Sequence, residues 1–273
     1  MILYPKILQI EITDACNLHC SYCDIHENHK HPGTMPFERV AWLIRQAQYA
    51  SHVCPQYWGE PTLHPDFLQI LRLCVESGKT ASFYTNGLLL DTFDIPEVLR
   101  NTSEIRISMD NTTPDGFLNT TGSGSFERVR RNIVACWEAK KRFSLGTRII
   151  IRATELVPAQ PFGYFVSFWG PYCDSVELKP LRLSAPPPGI ELMDRKTCDF
   201  PTRHIVIKRD GTVVLCCSDH NKQCPIGNVF ESTVLDIFNS PRYNELRQQV
   251  GELPLCHNCW YRYRRRHTPS GEA

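Results

Sequence analysis

The sequence predicts an α/β fold built on a parallel sheet, followed by a small cysteine-rich module. Three observations predict it. From Ile7 to about Lys179, short β-branched or apolar runs alternate with amphipathic stretches, the pattern of repeated strand and helix units. Residues 183–189 read Leu-Ser-Ala-Pro-Pro-Pro-Gly, a proline-rich linker that closes this region. Beyond the linker the pattern changes to a hairpin signal and a broken helix, with cysteines spread from Cys198 to Cys259.

Taken in order, the strand candidates are Ile7–Ile12, Val53–Trp58, Thr80–Thr85, Glu104–Ser108, Leu145–Arg152 and Ser175–Lys179, each short and rich in β-branched or aromatic residues. Helices are predicted over Pro36–Ala50, with proline in its first turn, and over Pro65–Ser77, Phe126–Arg142 and Pro161–Trp169. Pro96–Asn101 reads as a short helical turn. Past the linker, Arg203–Lys208 and Thr212–Cys216 alternate around Asp210-Gly211, the mark of a hairpin, and Thr233–Asn239 with Tyr243–Val250 reads as the broken helix. The linker divides the chain into an α/β unit over residues 1–182 and a smaller unit over residues 190–273.

Composition narrows the class. The 273 residues are 42% apolar and 22% charged, the balance of a globular enzyme with a full core. No apolar run is long enough to span a bilayer, and Met1 to Tyr4 carries no charged-then-apolar leader, so the expected location is the cytoplasm, with no membrane partner. The net charge of +1 supplies no general attraction for nucleic acid. Arg262, Arg264, Arg265 and Arg266 near the end read as a solvated tail. The 13 cysteines of a chain expected in a reducing compartment point to metal or redox chemistry, since disulfides do not persist there.

The chemistry begins at Cys16-Asn17-Leu18-His19-Cys20-Ser21-Tyr22-Cys23, directly after the first strand. Three thiols so spaced lack one ligand for a tetrahedral zinc or for a closed 4Fe–4S cluster, so one metal position stays open. A zinc knuckle or a chance triplet is the bland alternative. Three further groups then occur in order: Trp58-Gly59-Glu60-Pro61 after the second strand, Thr85-Asn86-Gly87 after the third and Ser108-Met109-Asp110 after the fourth.

The cysteine motif with these three groups resembles the radical SAM superfamily, in which the amino and carboxylate groups of S-adenosylmethionine (SAM) fill the open iron position of a 4Fe–4S cluster. The resemblance implies a partial (β/α)6 TIM-like barrel with substrate entering its open side. It implies that Cys16, Cys20 and Cys23 hold the cluster, that Tyr22 is the motif's aromatic, and that Gly59, Glu60 and Pro61 hold the SAM amino group. Trp58 replaces the first glycine of the family's motif. Thr85, Asn86, Gly87, Ser108 and Asp110 fall where the family contacts the methionine and ribose parts of SAM. In such barrels the chemistry gathers at the C-terminal ends of strands, where all these motifs lie. By strand alternation Arg148, Ile150 and Arg152 share a face, with Arg152 nearest the mouth. Arg152 and Lys179 are therefore candidate contacts to a substrate or SAM carboxylate, or else ion partners of Glu155 or Glu177.

In the second unit, Cys198, Cys216, Cys256 and Cys259, with Gly211 between the first two, resemble the auxiliary-cluster domains called SPASM and twitch. The resemblance implies one auxiliary 4Fe–4S cluster closed by four thiolates, although the same set also suits structural zinc. Cys54, Cys74, Cys136 and Cys173 read as small buried groups. Cys217 and Cys224 are either inert or hydrogen-atom donors facing the active site.

Together these features imply reductive cleavage of SAM, with electrons from an external donor such as flavodoxin or ferredoxin, and hydrogen abstraction from a small polar substrate. The short chain and single closed cluster are most similar to dehydrogenases of the 2-deoxy-scyllo-inosamine type, which oxidise a hydroxyl-bearing carbon of an aminocyclitol. Three alternatives stay open. One is a redox-neutral epimerase using Cys217 or Cys224, one a peptide-modifying enzyme, and one a non-catalytic iron–sulfur protein. Cys16 stands too early to leave room for an N-terminal peptide-recognition domain, which counts against the second.

Overall fold

The computed structural model describes residues 2–23, 25, 31–155, 162–180, 198–219, 221–257 and 259, with the backbone alone at 155, 179 and 180. The proline-rich linker and the arginine tail lie outside the described residues. Among the described residues nine strands form one sheet: β1 (Ile7–Ile10), β2 (His52–Cys54), β3 (Thr80–Thr85), β4 (Glu104–Ser108), β5 (Arg148–Glu155), β6 (Ser175–Pro180), β7 (His204–Ile207), β8 (Thr212–Val214) and β9 (Pro225–Asn228). Their order is β6-β5-β4-β3-β2-β1-β7-β8-β9. The first six are parallel to one another, as the alternating pattern predicts.

The sheet's outer edge departs from the expected picture of a separate hairpin. β7 pairs in parallel with β1, Ile7 opposite His204 and Ile10 opposite Ile207. β8 and β9 then follow antiparallel. The strand that leads into the cysteine motif is thus hydrogen-bonded on both sides, by β2 and by β7.

Helices cover one side of the sheet. α1 (Phe37–Gln46) buries Val40, Ala41, Leu43 and Ile44, and carries Glu38 in its first turn and Arg45 in its last, matching the helix dipole. α2 (Phe67–Glu76) buries Phe67, Ile70, Leu71, Leu73 and Cys74. α3 (Ile95–Arg100) is capped by Asp94, whose side chain accepts from the Glu97 amide. α5 (Phe126–Arg142) buries Phe126, Val129, Ile133 and Cys136. α6 (Phe162–Trp169) buries Phe165 and Trp169. Beyond the barrel lie α7 (Phe200–Arg203), α8 (Val234–Phe238), α9 (Pro241–Gln248) and α10 (Pro254–His257).

Some boundaries moved for local reasons. The second strand stops at Cys54, not Trp58, because Pro55 offers no amide and the Gln56 amide turns back to the Cys54 carbonyl at 2.8 Å. The fifth begins at Arg148, not Leu145, because the Leu145 amide closes the end of α5 on the Lys140 carbonyl. The sequence reading missed α4 (Pro114–Thr121) altogether, since Pro114-Asp115-Gly116 reads as a turn. Thr113 in fact caps it, accepting from the Gly116 amide, and Pro114 fills the first position.

Each barrel strand has two unlike faces. On β4, Ile105 and Ile107 are fully buried under the helices, while Glu104, Arg106 and Ser108 point the other way. On β5, Ile149, Ile151 and Ala153 lie under the helices, and Arg152 stands beside Ser108 on the inner face, which also carries the fully buried Ile150. A parallel sheet covered on both sides would be apolar on both; a polar inner face marks a cleft. Asn132 of α5 ties this wall to the next motif, donating from Nδ2 to the carbonyls of Gly87 at 2.8 Å and Leu88 at 3.2 Å. Asn132→Ala strands two buried carbonyls. It should cost about 1–3 kcal/mol in chemical unfolding, with faster amide exchange over residues 86–88; unfolding and exchange like the parent's would contradict this role.

Candidate active site

The three cysteines lie on the loop that leaves β1, and backbone bonds from three directions fix that loop. The amides of His19 and Ser21 donate to the carbonyls of Thr121 (3.0 Å) and Thr120 (2.8 Å) at the C-terminal end of α4, where orphan carbonyls are available. The Glu60 amide donates to the Ala15 carbonyl at 2.8 Å. Within the loop, the Cys23 amide closes on the Cys20 carbonyl at 3.0 Å. The thiols of Cys16, Cys20 and Cys23 are half-buried and interact electrostatically with one another. Burial pushes the Cys16 thiol up to about 11 and the Cys20 thiol up to about 12, while the Leu18 and Asn17 amides point at the Cys16 sulfur and oppose the shift.

The Gly-Glu-Pro turn fits against this loop so closely that only glycine is admissible. A Cβ on Gly59 would stand 2.3 Å from the Thr13 carbonyl oxygen, 2.7 Å from that of Ala15 and 2.9 Å from the Asp14 Cα. The obstacles are backbone and cannot move aside.

Glu60 is buried and joins the second strand's turn to the third strand's end. Its Oε1 accepts from the Thr62 amide (3.1 Å), the Thr62 hydroxyl (2.6 Å) and the Thr85 hydroxyl (2.7 Å), and its Oε2 from the Asn86 amide (2.7 Å). Burial raises the Glu60 carboxyl above the usual carboxylate range, and the four hydrogen bonds resist that rise. Asn86 reaches back to the cysteine loop, its Nδ2 donating to Asn17 Oδ1 at 2.7 Å. Gly87, with φ of 77°, turns the chain away behind it.

Asp110 closes the circle at the ends of β4 and β5. Its Oδ2 accepts from the Tyr22 hydroxyl at 2.6 Å and its Oδ1 from the Thr154 amide at 2.5 Å. Burial, with the Asp110 charge beside it, holds the Tyr22 phenol protonated. The motif stretches predicted from sequence therefore meet at one mouth: Cys16, Cys20, Cys23 and Tyr22; Gly59, Glu60 and Pro61; Thr85, Asn86 and Gly87; Ser108 and Asp110.

Below them the inner wall carries a stack that sequence reasoning missed. Tyr84 of β3 has the Arg106 guanidinium 5.5 Å and the Arg152 guanidinium 5.2 Å from its ring centre. Arg106 pairs with Glu104 at 2.7 Å and with Glu177 at 2.5 Å. Glu177, considered as a partner for Arg152 or Lys179, is thus held by Arg106. Arg152 stands on the predicted face near the mouth, and Lys179 is opposite Thr154 in the register of β6. Cys54 differs from expectation, since it lies on this polar face with its sulfur 3.5 Å from the Ser82 hydroxyl. Cys74, Cys136 and Cys173 are buried as expected.

The second set of thiols gathers beside β8. Cys198 interacts electrostatically with Cys259 and Cys256, and Cys216 with Cys259. Amides point at the sulfurs: Phe200 at Cys198, Ser218 at Cys216, and Gly251 at Cys256 over 3.3 Å. Amide-to-sulfur bonds stabilise thiolates and suit both sites to iron–sulfur clusters, in which each thiolate binds its own iron. Cys217 is within electrostatic range of Tyr57 and Tyr84, whereas Cys224 is buried, with its amide donating to Asp219 Oδ2 at 3.0 Å.

Comparison with known proteins agrees with this geometry. The sequence profile of the radical SAM superfamily matches residues 10–152, just over half of the chain. The chain belongs to the radical SAM superfamily. An iron-sulfur cluster-binding domain, SPASM, matches residues 198–260, so SAM and iron–sulfur clusters are the cofactors of this family and domain pair. GTP 3',8-cyclase of Shewanella denitrificans is 30% identical over 138 residues, which cover 48% of this chain and 41% of that protein. The chain thus aligns with less than half the length of that relative. Two solved structures share the fold. BtrN in complex with AdoMet and 2-DOIA superimposes with a TM-score of 0.63 at 16% identity, covering 95% of this chain and 94% of its own. Streptococcus suis SuiB bound to precursor peptide SuiA gives 0.72 at 16% identity, covering 94% and 71%. Among the described residues no helix is long and apolar enough to cross a membrane.

Gly59 provides a direct test of the site. Gly59→Ala should lose SAM binding in equilibrium dialysis of the anaerobically reconstituted protein, by at least tenfold, because the turn must leave residues 13–15. Trp58→Gly should bind within about threefold of the parent. Normal binding by Gly59→Ala would refute the packing argument.

Proposed function

We propose that this protein oxidises a hydroxyl-bearing carbon of a small polar substrate, a sugar, aminocyclitol or aminoglycoside, in the cleft lined by Tyr84, Arg106, Arg152 and Glu177. The observation that carries the reading is the polar inner wall, faced by SAM-motif residues at its mouth and by the Cys216–Cys217 segment at its side. When bound, the first cluster supplies the electron that cleaves SAM to methionine and a hydrogen-abstracting 5'-deoxyadenosyl radical, and the auxiliary cluster supplies an electron acceptor. In this reading Cys16, Cys20 and Cys23 hold the first cluster, and Cys198, Cys216, Cys256 and Cys259 a single auxiliary one. Residues 1–182 and 190–273 are then two functional units sharing one sheet.

Oxidation of such a carbon releases one hydrogen atom, one electron and one proton, leaving a ketone. In this reading the hydrogen atom would leave with 5'-deoxyadenosine and the proton through Glu177 on the wall, while the group that Cys198, Cys216, Cys256 and Cys259 would hold would supply the electron acceptor. Arg152 serves as a contact to substrate oxygens, since a guanidinium stays charged and cannot act as a base, while the side chain of Lys179, the other candidate, lies outside the described residues. An external flavodoxin or ferredoxin would deliver the initiating electron. BtrN supports the small-substrate reading, because its chain and this one cover each other almost completely.

Redox-neutral epimerisation is a second reading, favoured by a Cys217 thiol within electrostatic range of Tyr84 on the inner wall. Cys224 has no such support, since it faces Asp219 and Cys256. Deuterium oxide separates the two. Incubated anaerobically with reductant, SAM and a panel of aminocyclitols, aminoglycosides and peptides, the protein should form substrate-dependent 5'-deoxyadenosine and a deuterium-free oxidised product, and Cys217→Ala and Cys224→Ala should retain it. Deuterium at an inverted carbon, with turnover lost in Cys217→Ala, would replace oxidation by epimerisation. Turnover of a peptide alone would overturn the substrate class.

A further inference from the structure

Glu11 and Lys208 form an ion pair at the seam of the sheet that no motif accounts for. The Lys208 Nζ donates to Glu11 Oε1 at 3.0 Å, and the two side chains are 3% and 1% exposed. The Arg209 amide donates to Glu11 Oε2 at 3.1 Å. Glu11 is five residues before Cys16, and Lys208 directly follows the strand that pairs with β1. A buried pair of this kind is weak support for stability, because a well-packed apolar pair often does as well. Its charge calls for another explanation.

The lysine faces an aromatic that spans the two thiol sites. Its Nζ is 4.7 Å from the centre of the Tyr57 ring, and the Tyr57 hydroxyl donates to the Cys216 carbonyl at 3.4 Å. Tyr57 is also the residue that enters Trp58-Gly59-Glu60, the turn packed on the first cysteine loop. One ring therefore lies between a buried cation and the backbone of Cys216, a residue of the auxiliary set. Cys216, Cys217, Asp219 and Glu11 are the acidic groups that interact with Tyr57. Each added electron makes a thiolate cluster more negative, so a fixed cation nearby favours the reduced form.

We propose that Lys208, held by Glu11 and laid over Tyr57, raises the reduction potential of the auxiliary cluster, making it the better acceptor for the electron that leaves the substrate. This rests on the reading of Cys198, Cys216, Cys256 and Cys259 as cluster ligands. Lys208 is a positioning and potential-setting residue that touches neither substrate nor SAM.

The test is a redox titration of the auxiliary cluster followed by electron paramagnetic resonance. The full-length, reconstituted protein is used. Lys208→Met alone leaves a buried carboxylate unpaired and can fail to fold, so the deciding comparison is Glu11→Gln against Glu11→Gln/Lys208→Met. These differ by the one cation. The equilibrium constant for reduction should be about tenfold larger in Glu11→Gln than in the double variant, about 59 mV for one electron. Tyr57→Phe, which keeps the ring beneath the lysine, should lie close to the parent. Equal potentials in the two Glu11 variants, with the auxiliary signal present, would overturn this inference alone. Absence of an auxiliary signal from the unmodified protein would overturn it together with the cluster reading.

Discussion

β1 has a hydrogen-bonded neighbour on each side, and the arrangement of both thiol sites depends on that. A strand paired on only one edge could shift or fray at its end; β1 is held by β2 and β7 in defined register. Its C-terminal end is therefore a fixed point from which the cysteine loop starts. Because β7 leads through the turn at Gly211 into β8 and on to Cys216, the same pairing sets the position of the second thiol group relative to the first. Side chains reinforce the backbone. The ion pair of Arg209 with Asp14 at 2.9 Å fastens the start of the loop to the hairpin, and the bond from the Gly33 amide to Asp14 Oδ1 at 2.7 Å ties it to the segment before α1.

From that fixed point the mouth is closed by groups that each serve two elements. Glu60 joins the turn after β2 to the end of β3. Asp110 joins the ends of β4 and β5 to Tyr22 on the cysteine loop. The result is a ring of strand ends in which no motif is held by its own strand alone. Such mutual support is what preorganises a site, since moving one group breaks bonds in the next. The inner wall beneath is then free to be polar, because the core lies on the helix side, where Ile105, Ile107, Ile149 and Ile151 are fully buried.

Much of this could be read from the sequence, and the reason is geometric. Parallel strands put their C-terminal ends on one side, so Cys16, Gly59, Asn86 and Asp110 could be assigned to one mouth from strand order alone. The inward face of β5 followed from alternation, which placed Arg152 correctly. What escaped depends on long-range pairing or on backbone atoms. The partner of β1 is almost two hundred residues away and has no local signature. The carbonyls of Thr120 and Thr121 that hold the cysteine loop carry no residue code, and their helix was hidden by a turn-like Pro-Asp-Gly. The Tyr84 stack needs the register of three strands at once. Glu11 and Lys208 each looked like the polar end of a strand, and only the β1–β7 pairing brings them together.

The central claim is that one continuous sheet holds two iron–sulfur clusters, the first open to SAM and the second closed by four thiolates. Metal analysis of the anaerobically reconstituted protein tests it most directly, made on the parent and on the variant with Cys198, Cys216, Cys256 and Cys259 all replaced by Ala. The account predicts about eight irons per chain in the parent and about four in the variant, for two clusters of four irons each. Partial SAM cleavage should persist in the variant. Lost activity alone would not decide the matter, because removing a closed metal site can unfold the small unit that it holds. A parent with only about four irons and one zinc per chain would contradict the account.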